Sequence, residues 1–196
     1  MKDLKKNNTG ISTMLIVAVV VVIVVVAVAV GAFALLSQPA APSDNPTPTP
    51  SGTSDPSATS STETPDIAGA SSLKYSVSVA ENGVVQASYT FWGKNAGRDD
   101  FAMRIEYSDT EGSGIYIFNA GTKEAWTNAG DGEWIDMSSY FDMQYDIWKQ
   151  SWSGYISSLA SWNGMGDYSY TVEGFTYRIY DISVNPTLED SLFTHS

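Results

Sequence analysis

Between Met14 and Leu36 the chain runs for 23 residues without a charged or strongly polar side chain, most of them Val, Ala, Ile or Leu. At about 1.5 Å per helical residue the run measures about 34 Å, enough to cross a hydrocarbon core of about 30 Å with modest tilt. Valine is a mediocre helix former in water, yet in lipid a helix satisfies every backbone group within one segment. The run therefore predicts a single transmembrane helix over 14–36. Lys2, Lys5 and Lys6 precede it, offset only by Asp3, and no Lys or Arg follows until Lys74. That asymmetry keeps residues 1–13 as a basic cytoplasmic tail and sends residues 37–196 to the outside.

Two other fates for the segment follow from its flanks. A cleaved secretory signal has an apolar region of about 7–15 residues, shorter than this one, although alanines near Ala32 and Ala40 supply small residues for a cut. Lys5 and Lys6, followed by Gly10-Ile11-Ser12-Thr13 directly before the apolar run, resemble an archaeal class III signal peptide. That resemblance implies a cut after Gly10 and a pilin-like helix in a filament core. Thr9 stands where that family usually has a basic residue.

Seven of the eight prolines lie between Pro39 and Pro65, set among Ser, Thr, Ala and Gly. Such a stretch cannot bury enough apolar surface to offset its ordering entropy, so residues 37–72 are expected to form a disordered spacer. The Thr-Pro repeats of 45–50 suit O-linked sugars on composition alone.

Residues 73–196 carry 23 of the 24 aromatic side chains and form the expected extracellular domain. Tyr75, Val77 and Val79 alternate with serines, and Asn82-Gly83 turns the chain into 84–92. Further alternating runs follow over 101–107, 115–119, 123–127 and 133–136, separated by Gly-, Asn- and Asp-rich turns. The period then changes. Phe141, Tyr145, Trp148, Trp152, Tyr155, Leu159 and Trp162 are spaced by 4, 3, 4, 3, 4 and 3, one apolar stripe on a helix. Ser139 and Asp142 suit its start and Asn163-Gly164 its stop, with Gly154 the one poor helix former inside. A hairpin over 168–172 and 175–184 closes the domain. The expected class is α+β: a curved antiparallel sheet of about seven strands, a half-barrel, packed on one long amphipathic helix.

This order of meander, crossing helix and last hairpin resembles the LolA/LolB lipoprotein-carrier superfamily. The stretches that carry the likeness are Asp100-Phe-Ala-Met-Arg-Ile-Glu106, Gly114-Ile-Tyr-Ile-Phe-Asn-Ala-Gly-Thr-Lys-Glu-Ala-Trp126 and Ile182-Ser-Val-Asn-Pro-Thr-Leu-Glu-Asp-Ser-Leu-Phe193. The resemblance implies a half-barrel around helices and an aromatic interior that receives acyl chains, with no chemistry. A lipobox cysteine is missing, and a tethered chain does not shuttle cargo as the free carriers do.

Candidate ligand-binding residues are the helix aromatics Tyr145, Trp148, Trp152 and Tyr155, which either line a greasy cavity or fill the core. Arg104, midstrand, suits a ligand head group or a surface ion pair, and Trp126 suits stacking on a ligand or partner. With 22 acidic against 10 basic residues, a net charge of -12, one histidine and no cysteine, the composition opposes nucleic-acid binding. It also removes disulfide and thiolate chemistry and leaves little for histidine or transition-metal catalysis. Asp131-Gly132-Glu133 with Asp136 lacks the ligand spacing of an EF-hand and reads as a solvated turn. His195 sits at an end expected to fray. The expectation is a non-enzymatic protein of the cell membrane, with no cofactor or metal. Its outer domain binds a hydrophobic or amphipathic ligand, a lipid or acyl chain, or an envelope partner; the alternative is a pilin-like structural component.

Overall fold

The computed structural model of the chain describes residues 65–195. The expected cytoplasmic tail over 1–13, the expected membrane helix over 14–36 and the expected linker up to residue 64 lie outside the described residues. Among the described residues no helix is long and apolar enough to cross a membrane.

The domain is α+β: one open antiparallel sheet of eight strands packed on one helix. The strands are β1 (Ser72–Glu81), β2 (Val84–Lys94), β3 (Ala102–Asp109), β4 (Ser113–Asn119), β5 (Glu124–Asn128) and β6 (Ile135–Asp136), then β7 (Tyr168–Val172) and β8 (Phe175–Val184). Their order across the sheet is β6-β5-β4-β3-β2-β1-β8-β7. The first six form a meander. The chain must then travel from the β6 edge to the far side of β1, a span of about 33 Å at about 4.8 Å per strand. The helix α1 (Phe141–Ser158) makes that crossing, its 18 residues covering about 27 Å.

Two hairpins are fixed by their turns. Asn82 and Gly83 have φ of 50° and 80°, and Glu173 and Gly174 have 50° and 87°, so both central residues are left-handed, as two-residue turns of the primed type require. Asp181, also left-handed at 52°, lies where the β1–β8 register slips between Lys74 and Ser76, which marks a bulge. At the end of β8, Asn185 Oδ1 accepts hydrogen bonds from the Ser71 backbone N–H at 2.8 Å and its hydroxyl at 3.1 Å. This side chain staples the last strand to the entrance of the first. Just upstream, residues 65–71 also pack on the domain, with Ile67 and Ala70 buried.

Strand alternation sorts the side chains as their sequence parity predicts. Tyr75, Val77 and Val79 of β1, Tyr89 and Phe91 of β2, Met103 and Ile105 of β3, and Tyr177 and Ile179 of β8 face the helix and are buried. The expected helix forms with two corrections. Its regular part starts at Phe141, preceded by a 3-10 turn over Ser138–Tyr140, and the N-cap is Tyr140 with no side-chain cap bond. Ser139 therefore does not cap it. The serine one residue earlier is already engaged, Ser138 Oγ accepting from the Ala125 backbone N–H at 3.1 Å, which ties the helix entrance to β5. At the other end a 3-10 turn over Leu159–Ser161 precedes Asn163-Gly164.

Candidate functional site

The four helix aromatics proposed for ligand binding sit together, as their spacing demands, on the sheet side of α1. Tyr145, Trp148, Trp152 and Tyr155 are all buried. The sheet answers them with rings of its own. Tyr75 lies 5.1 Å from Phe91, 5.2 Å from Trp152 and 6.2 Å from Tyr155, centroid to centroid. Phe91 in turn lies 6.2 Å from Trp148 and 5.7 Å from Tyr155, and Tyr116 lies 5.2 Å from Trp148. Distances and tilts of this kind are those of packed aromatic pairs. Trp152 fits because Gly93 faces it. A Cβ at that glycine would stand 2.7 Å from Trp152 Cζ2 and 2.9 Å from Phe101 Cε2, well inside van der Waals contact. Tyr75 Oη donates to the Trp152 carbonyl at 3.3 Å, which supplies the partner its buried hydroxyl needs. Burial also pushes the Tyr75 and Tyr155 phenols well above the ordinary tyrosine range, so both stay neutral donors. This interface is a filled aromatic core.

Space opens toward one margin of that core. A groove of about 280 Å³ lies between residues 67–70, the loop after β2 and the outer edge of α1, lined by Ile67, Ala68, Ala70, Ala96, Trp152 and Ile156 among others. Trp152 is thus shared between core and groove, and Ile156 one turn later extends the apolar wall. Ligand pockets commonly run from about 300 to 1,000 Å³, so this one has room for the end of an apolar chain and not for a whole lipid.

Arg104 and Trp126 lie on the opposite face of the sheet. The register Lys74↔Trp92, Trp92↔Arg104, Arg104↔Ile117 and Ile117↔Trp126 draws one row across five strands. The C-terminal segment 186–195 runs over this row as a strap. Its backbone carbonyls are held by side chains from three adjacent strands: Lys94 Nζ donates to Leu188 O at 3.2 Å, Arg104 Nη1 to Leu192 O at 3.2 Å, and Asn119 Nδ2 to Phe193 O at 3.1 Å. Phe193 is buried, Ile117 beneath the strap is fully enclosed, and His195 stacks on Trp126 at 3.6 Å with an interplanar angle of 13°. Residues 186–195 are therefore docked on the sheet, where the sequence suggests a frayed end. Arg104 also pairs with Glu106 at 2.7 Å and lies 5.9 Å over the Trp92 ring, so its guanidinium serves the strap and the sheet surface.

The six candidate residues accordingly fall into two groups on opposite sides of the sheet, with Trp152 the one member that reaches the groove. Residues the sequence did not single out complete both places. Ile67, Ala68 and Ala70 lie in a stretch that reads as linker, and Lys94 and Asn119 show no pattern until the strands are paired. In the acidic turn, Asp131 Oδ1 accepts from Glu133 N at 3.0 Å and Asp136 Oδ1 from Ser138 N at 2.8 Å, so these carboxylates shape the backbone. Among the described residues no three His, Asp or Glu side chains come together as a metal site requires. Comparison with family models, with curated proteins and with solved structures finds no match.

Proposed function

We propose that this chain is a membrane-anchored recognition protein without catalytic activity. Residues 14–36 hold it in the cell membrane as one helix with the N-terminus in the cytoplasm, and the α+β domain is displayed outside. There it takes the apolar end of an amphipathic ligand, an acyl chain or lipid of the envelope, in the groove beside Trp152 and Ile156. The observation that carries this reading is the groove itself: open, walled in part by Ile67, Ala70, Trp152 and Ile156, and bounded by a helix residue that the aromatic stripe had already marked. Its small volume and the filled core favour a display module that grips one end of its ligand over a carrier that encloses it. The order of meander, crossing helix and final hairpin supports a relation to the LolA/LolB carriers in architecture, with a half-barrel curvature as the finer expectation.

Native mass spectrometry of the detergent-solubilised full chain, with a lysophospholipid and a fatty acid as probes, tests the ligand. One retained equivalent is expected, lost in Ala68→Trp, which plugs the exposed rim of the groove. No adduct on the native chain, or an adduct undiminished in that variant, refutes the site. Intact mass of the membrane-extracted protein tests the anchor, because a mature N-terminus at Ile11 would favour the filament alternative.

A further inference from the structure

The sheet ends in β7, and nothing about that strand discourages further pairing. Proteins usually guard an edge with a lysine, a proline, a bulge, an inward charge or a very short strand. The opposite edge, β6, is guarded by length, being only two residues. β7 is five residues, Tyr-Ser-Tyr-Thr-Val, four of them good strand formers, with no charge, no proline and an unbroken register against β8. Its one neighbour in the sheet is β8.

The turn decides which backbone groups are free. Glu173-Gly174 closes a two-residue hairpin, so the flanking pair Val172↔Phe175 exchanges both N–H···O bonds. Pairs alternate along an antiparallel ladder, and Tyr170 and Tyr168 therefore also point their N–H and C=O at β8, while Ser169 and Thr171 point theirs outward. Both of these residues are exposed, and neither backbone N–H reaches another described segment.

We propose that β7 is a self-recognition edge: two copies of this chain join antiparallel through it, with Tyr170 opposite Tyr170 of the partner copy. This register is the one that uses all the outward groups. Each Ser169 exchanges two hydrogen bonds with the Thr171 opposite, giving four in total, and their hydroxyls fall side by side on one face. On the other face Tyr168 meets Val172, both half-buried, which extends the aromatic layer already formed by Tyr168, Tyr170 and Tyr177 at 6.1 and 5.0 Å. The charge nearest the seam is partly neutralised, since Asp167 is bound to Arg178 through Nε at 2.7 Å. Glu173 would face that Asp167 at each end, and the acidic domains repel overall, so association strengthens as salt screens them. Five residues of edge pairing bury less than the ~1,200 Å² of a stable complex, which makes the contact weak in free solution and dependent on crowding at a surface.

The chain has no cysteine, so introduced thiols report without background. Full-length Ser169→Cys and Thr171→Cys chains are reconstituted together in vesicles and oxidised. Hydrogen-bonded antiparallel pairs bring Cα atoms to about 5.5 Å, within disulfide reach, whereas residue 169 to 169, or 171 to 171, lies about 7–8 Å apart. The mixture is expected to give several-fold more disulfide dimer than either variant alone, increasing with salt. A Thr171→Lys exchange on the Ser169→Cys partner's background, which leaves the backbone bonds to β8 intact and removes only the hydroxyl contact with Thr176, should reduce the yield to that of unpaired chains. Equal yields in mixed and single samples, or no dimer with freely exchanging 169 and 171 amides at high surface density, overturns the proposal. Retained circular dichroism in every variant shows that the loss is not misfolding.

Discussion

The same substitution at two glycines should move stability in opposite directions. Gly154 sits inside α1 with nothing within 4 Å of a Cβ added to it, and its backbone is not left-handed. Gly154→Ala therefore gains the helix-propensity difference, about 0.5–1 kcal/mol. Gly93, next to last in β2, would by the same entropic argument gain a similar amount from a side chain. Packing reverses the sign. Its Cβ would run into Trp152 Cη2 and stand 2.7 Å from Trp152 Cζ2 and 2.9 Å from Phe101 Cε2, on two rings held by further rings. Overpacking of a rigid core costs about 1–3 kcal/mol, so Gly93→Ala should lose about 1–2 kcal/mol net. Urea unfolding followed by far-ultraviolet circular dichroism reads both changes as shifts in midpoint at constant slope. A double variant isolates the cause. Trp152→Phe shortens the ring that Gly93 accommodates, so it should restore part of the loss in the Gly93→Ala background, with a favourable coupling of about 1 kcal/mol. If Gly93→Ala stabilises as Gly154→Ala does, or if the two changes simply add, the close approach of helix and sheet at this point is wrong.

Two further predictions concern the strap and the tyrosines. Phe193→Ala should cost about 2–4 kcal/mol, because it empties a buried site against fully enclosed Ile117, and His195→Ala about 0.5–1.5 kcal/mol through loss of the Trp126 stack. Thermal unfolding checks both, and an unchanged midpoint for Phe193→Ala would show that the strap is not part of the cooperative fold. Burial pushes the Tyr116 and Tyr177 phenols up to about 12, against an ordinary value near 10. A phenol whose folded pKa is raised releases its proton more readily when unfolded, so stability is intact below pH ~10 and falls between about pH 10 and 12. Tyrosinate absorbance should therefore rise in two stages, exposed residues first and the buried set together with loss of structure; a single smooth titration with the fold retained would contradict the burial.

Local pattern determines much of this fold. Period-two alternation placed the strands, the Asn-Gly and Glu-Gly pairs fixed two hairpins, and a stripe spaced by threes and fours placed α1. What periodicity cannot contain is the complement. That Tyr145, Trp148, Trp152 and Tyr155 face the sheet follows from their spacing; that they fill the space depends on Tyr75, Phe91 and Gly93, which meet them from strands some 50 to 80 residues earlier in sequence. The helix start was misplaced for a related reason, since Ser139 has the right chemistry for a cap but the chain is already pinned to β5 through Ser138.

The strap shows the same limit most sharply. Residues 186–195 have no helix or strand period, and local sequence alone favours a loose end. Their order comes from Lys94, Arg104 and Asn119, 74 to 94 residues from the carbonyls they hold, whose alignment exists only once β2, β3 and β4 are paired in register. All three bonds go to backbone carbonyls, so the tail's own side chains, apart from Asp190, which pairs with Lys94, and Phe193 and His195, leave little trace of the docking. The consequence for function is directional. One face of the sheet is spent on the core, and residues 186–195 cover the other from Lys94 to Trp126, which favours the margins, the groove beside Trp152 and the open edge at β7, as the proposed surfaces for contact with other molecules.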